Sequence, residues 1–245
     1  MKNIIILLLS SMLLSCTSGT TAVHSKNAKA AEYNASLGAE YIRKNRLVLA
    51  NEKLSKALAQ SPNSENANHY YALLQEKLNN NATALKHFKK AIKVSKRNPD
   101  LHNNYGSFLC NMGQYRQAIS EFAQAVKDPL YKTPEFAYTN AGVCIEKEKS
   151  NSTESPEAYY RKALEINPKF ASALFQMAKL KWKQQETSKA QAFLFRYNET
   201  AQQTPESLLL CKQINEKLGD QIQAEHCVSQ LLTHFPSSKE ASNIN

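Results

Sequence analysis

The chain has 245 residues, which is enough for one or two domains with a sizeable core. Hydrophobic residues make up 42% and charged residues 21%, and the mean hydropathy of −0.52 excludes a protein that spans a membrane several times. The six glycines are few, which favours helix over sheet and argues against the glycine-rich loops that bind nucleotide phosphates. The net charge of +10 raises the hypothesis of a nucleic-acid partner.

A short apolar run near the start of the chain is typical of a secretory signal. It follows Lys2 and ends in Leu13-Leu14-Ser15-Cys16, and it is too short for a membrane span of ~20 residues. These last four residues resemble the bacterial lipobox, in which cleavage before the cysteine leaves an acylated N-terminus. We expect a lipoprotein signal peptide over 1-15, cleavage between Ser15 and Cys16, and lipidation of Cys16. The alternative is an ordinary secretory signal with a chance cysteine.

The residues after the cysteine bear on location. Thr17 stands where an Asp would indicate retention at the inner membrane in Gram-negative lipoproteins. We therefore expect an outer-membrane protein that is lipid-anchored and faces the periplasm. Residues 16-30 are small and polar, and they predict a flexible tether behind the lipidated cysteine. This compartment argues against nucleic acid as a partner.

The remainder of the chain repeats with a period of 34 to 36 residues. The first unit carries Leu37-Gly38, Tyr41, Ala50 and Ala57 at the spacing of the tetratricopeptide (TPR) pattern. Units begin near Ala31, Glu65, Pro99, Glu135, Ala171 and Pro205. We predict an all-α superhelical solenoid of six TPR helix-turn-helix repeats over 31-236 and a C-terminal tail over 237-245. A generic helical bundle is the alternative.

Local features of the repeats have physical reasons. Small residues recur where the paired helix approaches closely, namely at Gly38, Gly106, Gly142 and Ala178. In the fourth unit, Ser155 before Pro156 predicts a capped start of a short second helix, after a longer loop over residues 148–155.

No pattern typical of catalysis occurs in the sequence. The six histidines are scattered without HExxH spacing, and no CxxC, GxGxxG, Walker A or GxSxG sequence is present. We therefore expect no enzymatic activity, no cofactor and no metal. The densest basic cluster runs from Lys86 to Arg97, and it is either a solvated helix face or a surface for an acidic partner or anionic lipid.

The first helix of each TPR unit normally lines a concave groove that binds a partner. The positions that line it here are Ala35, Ala39, Ile42, His69, Leu73, Asn103, Ser107, Thr139 and Val143, followed by Phe175, Lys179 and Trp182. The Lys and Asn clamp that chaperone-binding TPRs use for a C-terminal carboxylate is missing. Toward the first units the groove is small and apolar, which suits an amphipathic helix or an extended segment. Alternatively, some of these residues pack between repeats.

Four cysteines remain once Cys16 is assigned to the lipid anchor, and they allow three pairings in the oxidising periplasm. Cys110 and Cys144 are one repeat length apart on the first helices of neighbouring units. Cys211 and Cys227 lie eight residues on either side of Gly219, in a predicted helical hairpin. These spacings predict the disulfides Cys110–Cys144 and Cys211–Cys227, with buried free thiols as the alternative.

Two blocks of sequence are more specific than the repeat itself. The stretch from Asn103 to Cys110, Asn-Asn-Tyr-Gly-Ser-Phe-Leu-Cys, resembles a conserved stretch of the type IV pilus biogenesis/stability proteins (the PilF/PilW family). The stretch Asn140-Ala141-Gly142-Val143-Cys144 resembles the same family. The resemblance extends over nearly the whole mature chain, although Cys211 and Cys227 lie outside the family pattern.

The resemblance implies a non-enzymatic outer-membrane lipoprotein. Such proteins help the secretin, which is the outer-membrane pore of the pilus, to localise and to assemble into its multimer, or they stabilise pili. The implied partners are the secretin subunit and other pilus assembly proteins, together with the membrane through acylated Cys16. A general envelope-assembly or chaperone-like lipoprotein, acting in outer-membrane protein insertion, is the alternative.

Overall fold

A computed structural model of the protein describes residues 18–95, 97–148 and 155–244. These residues form thirteen α-helices and, within those ranges, no strand. The helices are α1 (Ser18–Arg43), α2 (Leu47–Gln60), α3 (Glu65–Lys77), α4 (Asn81–Val94), α5 (Pro99–Asn111), α6 (Tyr115–Ala125), α7 (Pro134–Glu148), α8 (Pro156–Ile166), α9 (Ala171–Lys183), α10 (Thr187–Asn198), α11 (Pro205–Leu218), α12 (Gln221–His234) and α13 (Lys239–Ser242). The chain divides into unit 1, residues 1–95, and unit 2, residues 96–245.

Helices pair in chain order, from α1 with α2 to α11 with α12, and each pair packs as an antiparallel hairpin. Within each unit, the first helix of a pair also contacts the first helix of the next pair. Helices α3, α5, α9 and α11 begin at the residues where the sequence places the start of a repeat. The all-helical TPR fold predicted from the sequence is confirmed.

Glycine allows the two helices of a pair to touch in three of the repeats. A Cβ atom on Gly38 would lie 2.4 Å from Leu54 Cγ, and one on Gly142 would lie 2.4 Å from Tyr160 Cε1. A Cβ atom on Gly106 would meet the ring of Phe122 at 2.9 Å. These distances are shorter than van der Waals contact, so the close packing of each pair depends on the missing side chain.

The turn inside each described hairpin uses one residue with positive φ. Asn45 (φ 55°), Asn79 (φ 61°), Gly113 (φ 75°), Gln185 (φ 61°) and Gly219 (φ 80°) occupy equivalent places in their repeats. Asparagine and glycine tolerate this left-handed conformation well. Gly219 therefore ends α11, and its backbone N–H donates to the carbonyl oxygen of Glu216 at 3.1 Å.

Helix α1 differs from the predicted tether. It begins at Ser18, within the segment 16-30 that we expected to be flexible. The packed part nevertheless begins where the repeat does, because Lys26 to Lys29 are exposed and Ala31 is the first fully buried residue. Alanine and lysine are good helix formers, so the helix continues backward from its packed section through exposed residues.

Two details near the later helices also differ from expectation. Helix α8 starts at Pro156 after Ser155, but the Ser155 side chain makes no capping hydrogen bond. The loop predicted before it lies mostly outside the described residues. The segment expected to be a plain tail contains helix α13, whose Ala241 is buried against Leu208 and Leu231.

Candidate functional site

The predicted groove is open in unit 1. A cavity of about 380 Å³ lies between α1 and α3 and is lined by Ser36, Ala39, Ile42, Arg43, Tyr70 and Leu73. Ala39, Ile42 and Leu73 are positions where the TPR pattern places a partner. Three of the lining side chains are apolar, and the other three are Ser36, Tyr70 and Arg43, whose guanidinium is ion-paired with Glu40. The cavity is suited to an apolar side chain presented by a partner segment.

Two other predicted groove residues of unit 1, Ala35 and His69, are in the core instead. Ala35 is fully buried with Ala50 and Leu54. His69 is 1% exposed, and its ring lies 6.3 Å from that of Phe88. Burial lowers the pKa of His69 from its usual 6.5 to about 4, so this imidazole is neutral at neutral pH. Neither residue can contact a partner, because the neighbouring helices cover them.

The corresponding positions of unit 2 are engaged by the protein itself. Asn140 Nδ2 donates to Asn103 Oδ1 at 3.0 Å and to Ser107 Oγ at 3.3 Å, which ties α5 to α7. Thr139 is buried, and its hydroxyl donates to the carbonyl oxygen of Glu135. Val143 packs against the cluster that contains Tyr160. The groove prediction is therefore corrected for Asn103 and Thr139, which are buried. Ser107 and Val143 are half-buried and make contacts inside unit 2, so a partner contact at these two residues stays a prediction.

A second cavity occupies the first-helix face of the last two repeats. It has a volume of about 270 Å³ and is lined by Phe175, Lys179 and Trp182 of α9, together with residues of α11 and Glu240 of α13. The sequence identified the three α9 residues. Leu209 and Gln213 of α11 complete the wall and were missed, because their role depends on α13 closing one end.

A larger cavity, about 750 Å³, lies on another face of unit 2, between α10 and the α11–α12 hairpin. Phe195 at its edge is 64% exposed, and the floor includes Cys211 and Asn215. Gln191 spans part of the cavity by donating to Asn215 Oδ1 at 3.0 Å. The sequence offered a weak signal for this site, an aromatic residue directly after buried Leu194 and therefore on the outer side of its helix.

The structure pairs the four remaining cysteines as two disulfides. Cys110 on α5 is joined to Cys144 on α7, with Cα atoms 5.7 Å apart. Cys211 on α11 is joined to Cys227 on α12, with Cα atoms 6.1 Å apart. The first bridge links two neighbouring repeats, and the second links the two helices of one repeat. All four residues are buried, so the bridges brace the scaffold.

A buried lysine connects the fourth and fifth repeats. Lys181 on α9 is 3% exposed, and its Nζ donates to Glu157 Oε2 at 2.7 Å and to Glu186 Oε1 at 2.9 Å. Burial alone would lower the pKa of Lys181, but the hydrogen bonds to the two carboxylates outweigh it and raise the pKa. Hydrogen bonds from Lys181 in turn lower the pKa of Glu157. Every charge in this cluster is paired, and the cluster joins the fourth repeat to the fifth.

In the part of the chain that the structure describes, no three residues among His, Cys, Asp and Glu lie close enough together to hold a metal ion. Over the same ranges, no helix is long and apolar enough to cross a membrane. Ser15 and Cys16, the predicted cleavage and lipidation residues, lie outside the described residues.

The family scan and structural comparisons place this geometry among known proteins. Residues 87–120 and residues 157–214 match the tetratricopeptide repeat family. The chain is 27% identical over 204 residues to the type IV pilus assembly protein PilF of Pseudomonas aeruginosa, which covers 83% of this chain and 80% of that protein. An uncharacterised protein of Haemophilus influenzae is 29% identical over 118 residues, 47% of this chain and 64% of its own length.

Two solved structures extend the likeness to three dimensions. The crystal structure of PilW, described as a widely conserved type IV pilus biogenesis factor, superposes with a TM-score of 0.78 at 27% identity, over 87% of this chain and 97% of that one. The structure of Pseudomonas aeruginosa PilF gives a TM-score of 0.75 at 25% identity, over 89% of this chain and 98% of that one. Together with the repeat fold, these likenesses support a TPR protein of type IV pilus biogenesis that is similar to PilF and PilW.

Proposed function

We propose that the protein is an outer-membrane lipoprotein that binds the secretin subunit of the type IV pilus machinery and promotes its localisation and multimerisation, or stabilises pili. Acylated Cys16 would anchor it on the periplasmic side of the membrane. The relatives named for pilus assembly and biogenesis support the pilus setting. The role of the protein is then that of a scaffold, as is general for TPR proteins.

The observation that carries the proposal is the open cavity between α1 and α3 in unit 1. Its walls include Ala39, Ile42 and Leu73, which are available to a partner, whereas the equivalent positions Ser107 and Val143 are occupied by contacts inside unit 2. An apolar recess of this size accepts one or two side chains of an amphipathic helix or extended segment. We therefore place the secretin contact on this cavity, called the α1–α3 groove below.

The first experiment puts a charge in the groove. Leu73→Glu should abolish co-purification of the secretin from detergent-solubilised membranes and reduce secretin multimers, because a carboxylate would be buried against an apolar surface. Ala39→Phe, which fills the cavity without adding charge, should act in the same direction. The matched control is Val48→Glu, on an exposed position of α2 in the same unit. Normal secretin capture by folded Leu73→Glu and Ala39→Phe variants would contradict the proposal.

The second experiment removes the anchor. Cys16→Ala should leave a folded protein that no longer fractionates with the outer membrane, and the secretin should be mislocalised or pili lost. Normal secretin multimers and normal piliation in that strain would contradict the lipoprotein role. Co-purification with the barrel-insertion machinery in place of a secretin would indicate a general envelope-assembly function.

A further inference from the structure

Four lysines form a stripe on one face of α4 in unit 1. Lys86, Lys89, Lys90 and Lys93 follow the spacing i, i+3, i+4 and i+7, which places them on a single side of the helix. The opposite side is buried and consists of Ala84, Phe88 and Ala91. Lys86, Lys89 and Lys93 are exposed and Lys90 is half-buried, so the packing of the helix holds the stripe on its outer side.

The stripe is not neutralised by the protein itself. None of the four lysines makes an ion pair with a residue in the described ranges. Two acidic side chains of unit 1 are paired with other cations, since Glu40 pairs with Arg43 and Lys44, and Glu52 pairs with Lys53. The sequence contains no Asp or Glu between Glu76 and Asp100.

The positive charge of the stripe affects the pKa of a neighbouring histidine, His87. Burial lowers the pKa of His87, and the charges of Lys86 and Lys90 lower it further. Like charges at i, i+3 and i, i+4 also destabilise a helix slightly. The stripe therefore gives the fold no stability, and an external anion would relieve this repulsion.

The composition of the stripe distinguishes between two kinds of anionic partner. Protein interfaces are enriched in arginine and aromatic residues and depleted in lysine, and they surround an apolar centre. The α4 stripe consists of lysine alone, and none of the cavities described above is lined by α4. Clusters of four to eight basic side chains with no apolar recess are typical of surfaces that meet anionic phospholipid headgroups.

The position of the stripe in unit 1 also favours a membrane surface as the partner. Ser64 and Asn66, at the start of α3, both hydrogen-bond Glu32 of α1. His87 in the middle of α4 lies 2.9 Å from Asn68 Oδ1, so the second half of α4 runs toward that same end of unit 1. From Glu32, α1 continues backward past exposed Lys29 and Lys26 to Ser18, two residues after Cys16. The second half of the stripe, with Lys90 and Lys93, and the two lysines of α1 thus lie toward the end of unit 1 that leads to the proposed lipid anchor.

We propose that the lysine stripe of α4 binds the anionic phospholipid surface of the membrane and acts as a second, electrostatic attachment beside acylated Cys16. Two attachment points would restrict how unit 1 rotates over the membrane, whereas a lipid anchor alone leaves that orientation free. The proposal rests on the lipoprotein function above for its setting, but its test needs neither the acyl group nor the secretin.

The test uses residues 17–245, which retain every described helix of both units and lack the signal peptide and the lipidated cysteine. Flotation should show binding to vesicles with 30% phosphatidylglycerol, little binding to pure phosphatidylcholine, and loss of binding at high salt. Replacing all four stripe lysines (K86Q/K89Q/K90Q/K93Q) should weaken partition at least tenfold, since each lysine near an anionic surface contributes about a fivefold factor. Circular dichroism verifies that the variant is folded.

The matched control, K127Q/K132Q/K169Q/K217Q, removes the same charge from four exposed lysines of unit 2. It should change vesicle binding by less than about threefold. Equal loss in both variants would show that only net charge matters and would overturn the proposal. So would equal binding to neutral vesicles, or binding to polyglutamate and not to vesicles, which would indicate an acidic protein partner. Secretin capture by the stripe variant should be unchanged, so failure here is distinct from failure of the α1–α3 groove.

Discussion

Equivalent first-helix positions of the repeat line a cavity in unit 1 and contact the neighbouring repeat in α5 and α7 of unit 2. Ala39 and Leu73 in unit 1 line an open cavity, whereas Ser107 in unit 2 is held by Asn140 and Val143 is packed beside Tyr160. Unit 2 also carries both disulfides and the buried Lys181 cluster. One repeat pattern has thus produced open cavities between α1 and α3 and between α9 and α11, and a closed contact between α5 and α7. The pattern specifies the fold, and the side chains from the neighbouring repeat decide where a partner can bind.

The largest expected effect on stability comes from the buried Lys181 cluster of unit 2. Lys181→Met should lower the free energy of unfolding by about 3 kcal/mol, because the two charge-assisted hydrogen bonds of the buried ammonium, worth about 1.5 kcal/mol each, would be lost. The comparison in unit 1 is Arg43→Met, which removes an ion pair at an exposed rim and should leave Tm unchanged. Thermal and urea unfolding of the two variants measure the difference. Equal losses of stability in the two variants would show that the Lys181 cluster does not stabilise unit 2.

Loss of the Cys110–Cys144 bridge should have an effect of similar size. The double variant C110S/C144S should destabilise unit 2 by about 3 kcal/mol, since a loop of 34 residues is no longer closed in the unfolded state. Hydrogen exchange should accelerate in α5 and α7 but not in α1 and α3. Mass spectrometry after alkylation without reductant provides the direct check. Two alkylated thiols at this pair in the native protein would contradict the bridge.

Mild acid should weaken unit 1 before unit 2. The folded state holds the pKa of His69 at about 4 against an ordinary 6.5. The contribution of the buried neutral imidazole to the free energy of unfolding is therefore fully present above about pH 6.5 and is lost as the pH falls toward 4. The loss at pH 4 should be about 2–3 kcal/mol. The carboxylates of Glu157 and Glu186, whose pKa values are lowered, act only at more acidic pH.

His69→Phe should remove most of this pH dependence, because the ring volume remains while the titrating nitrogens do not. Hydrogen exchange of α3 at pH 7 and pH 5 measures the effect in the native protein and in the variant. A pH response of α3 that survives in His69→Phe would assign the acid sensitivity to another group.

The smallest of these effects tests the close contact inside the helical hairpins. Gly142→Ala should cost roughly 1–3 kcal/mol, because the added methyl meets the ring of Tyr160, which is fully buried and donates to Glu146. Gly38→Ala should cost less, since the side chain of Leu54 has more rotamers available than an aromatic ring. Denaturant unfolding of both variants gives the order. A larger cost for Gly38→Ala than for Gly142→Ala would contradict this explanation from the mobility of Leu54 and Tyr160.

Much of the fold was predictable because the repeat leaves strong local signals. Gly38, Gly106 and Gly142 marked the helix contacts, and prolines at Pro99 and Pro205 marked the starts of α5 and α11. The start of α1 was not predictable, since small polar residues allow both a tether and an exposed extension of a packed helix. Helix α13 was missed because four residues carry too little periodicity.

The groove was predictable by position but not by accessibility. Whether a first-helix residue faces a partner depends on its neighbour in the next repeat, and this is invisible in one repeat alone. Asn103, for example, is engaged by Asn140 across 37 positions of sequence. Lys181 gave no sign of burial in the sequence, because its partners Glu157 and Glu186 lie on other elements.

The central claim is that a partner binds in the α1–α3 groove of unit 1 and not at the equivalent positions of α5 and α7 in unit 2. Its most direct test is a photo-crosslinking amino acid placed in living cells at Leu73, and separately at Val143, both of which are half-buried first-helix positions. The account predicts a secretin adduct from position 73 and none from position 143. An adduct from position 143 alone, or equal adducts from both, would contradict it.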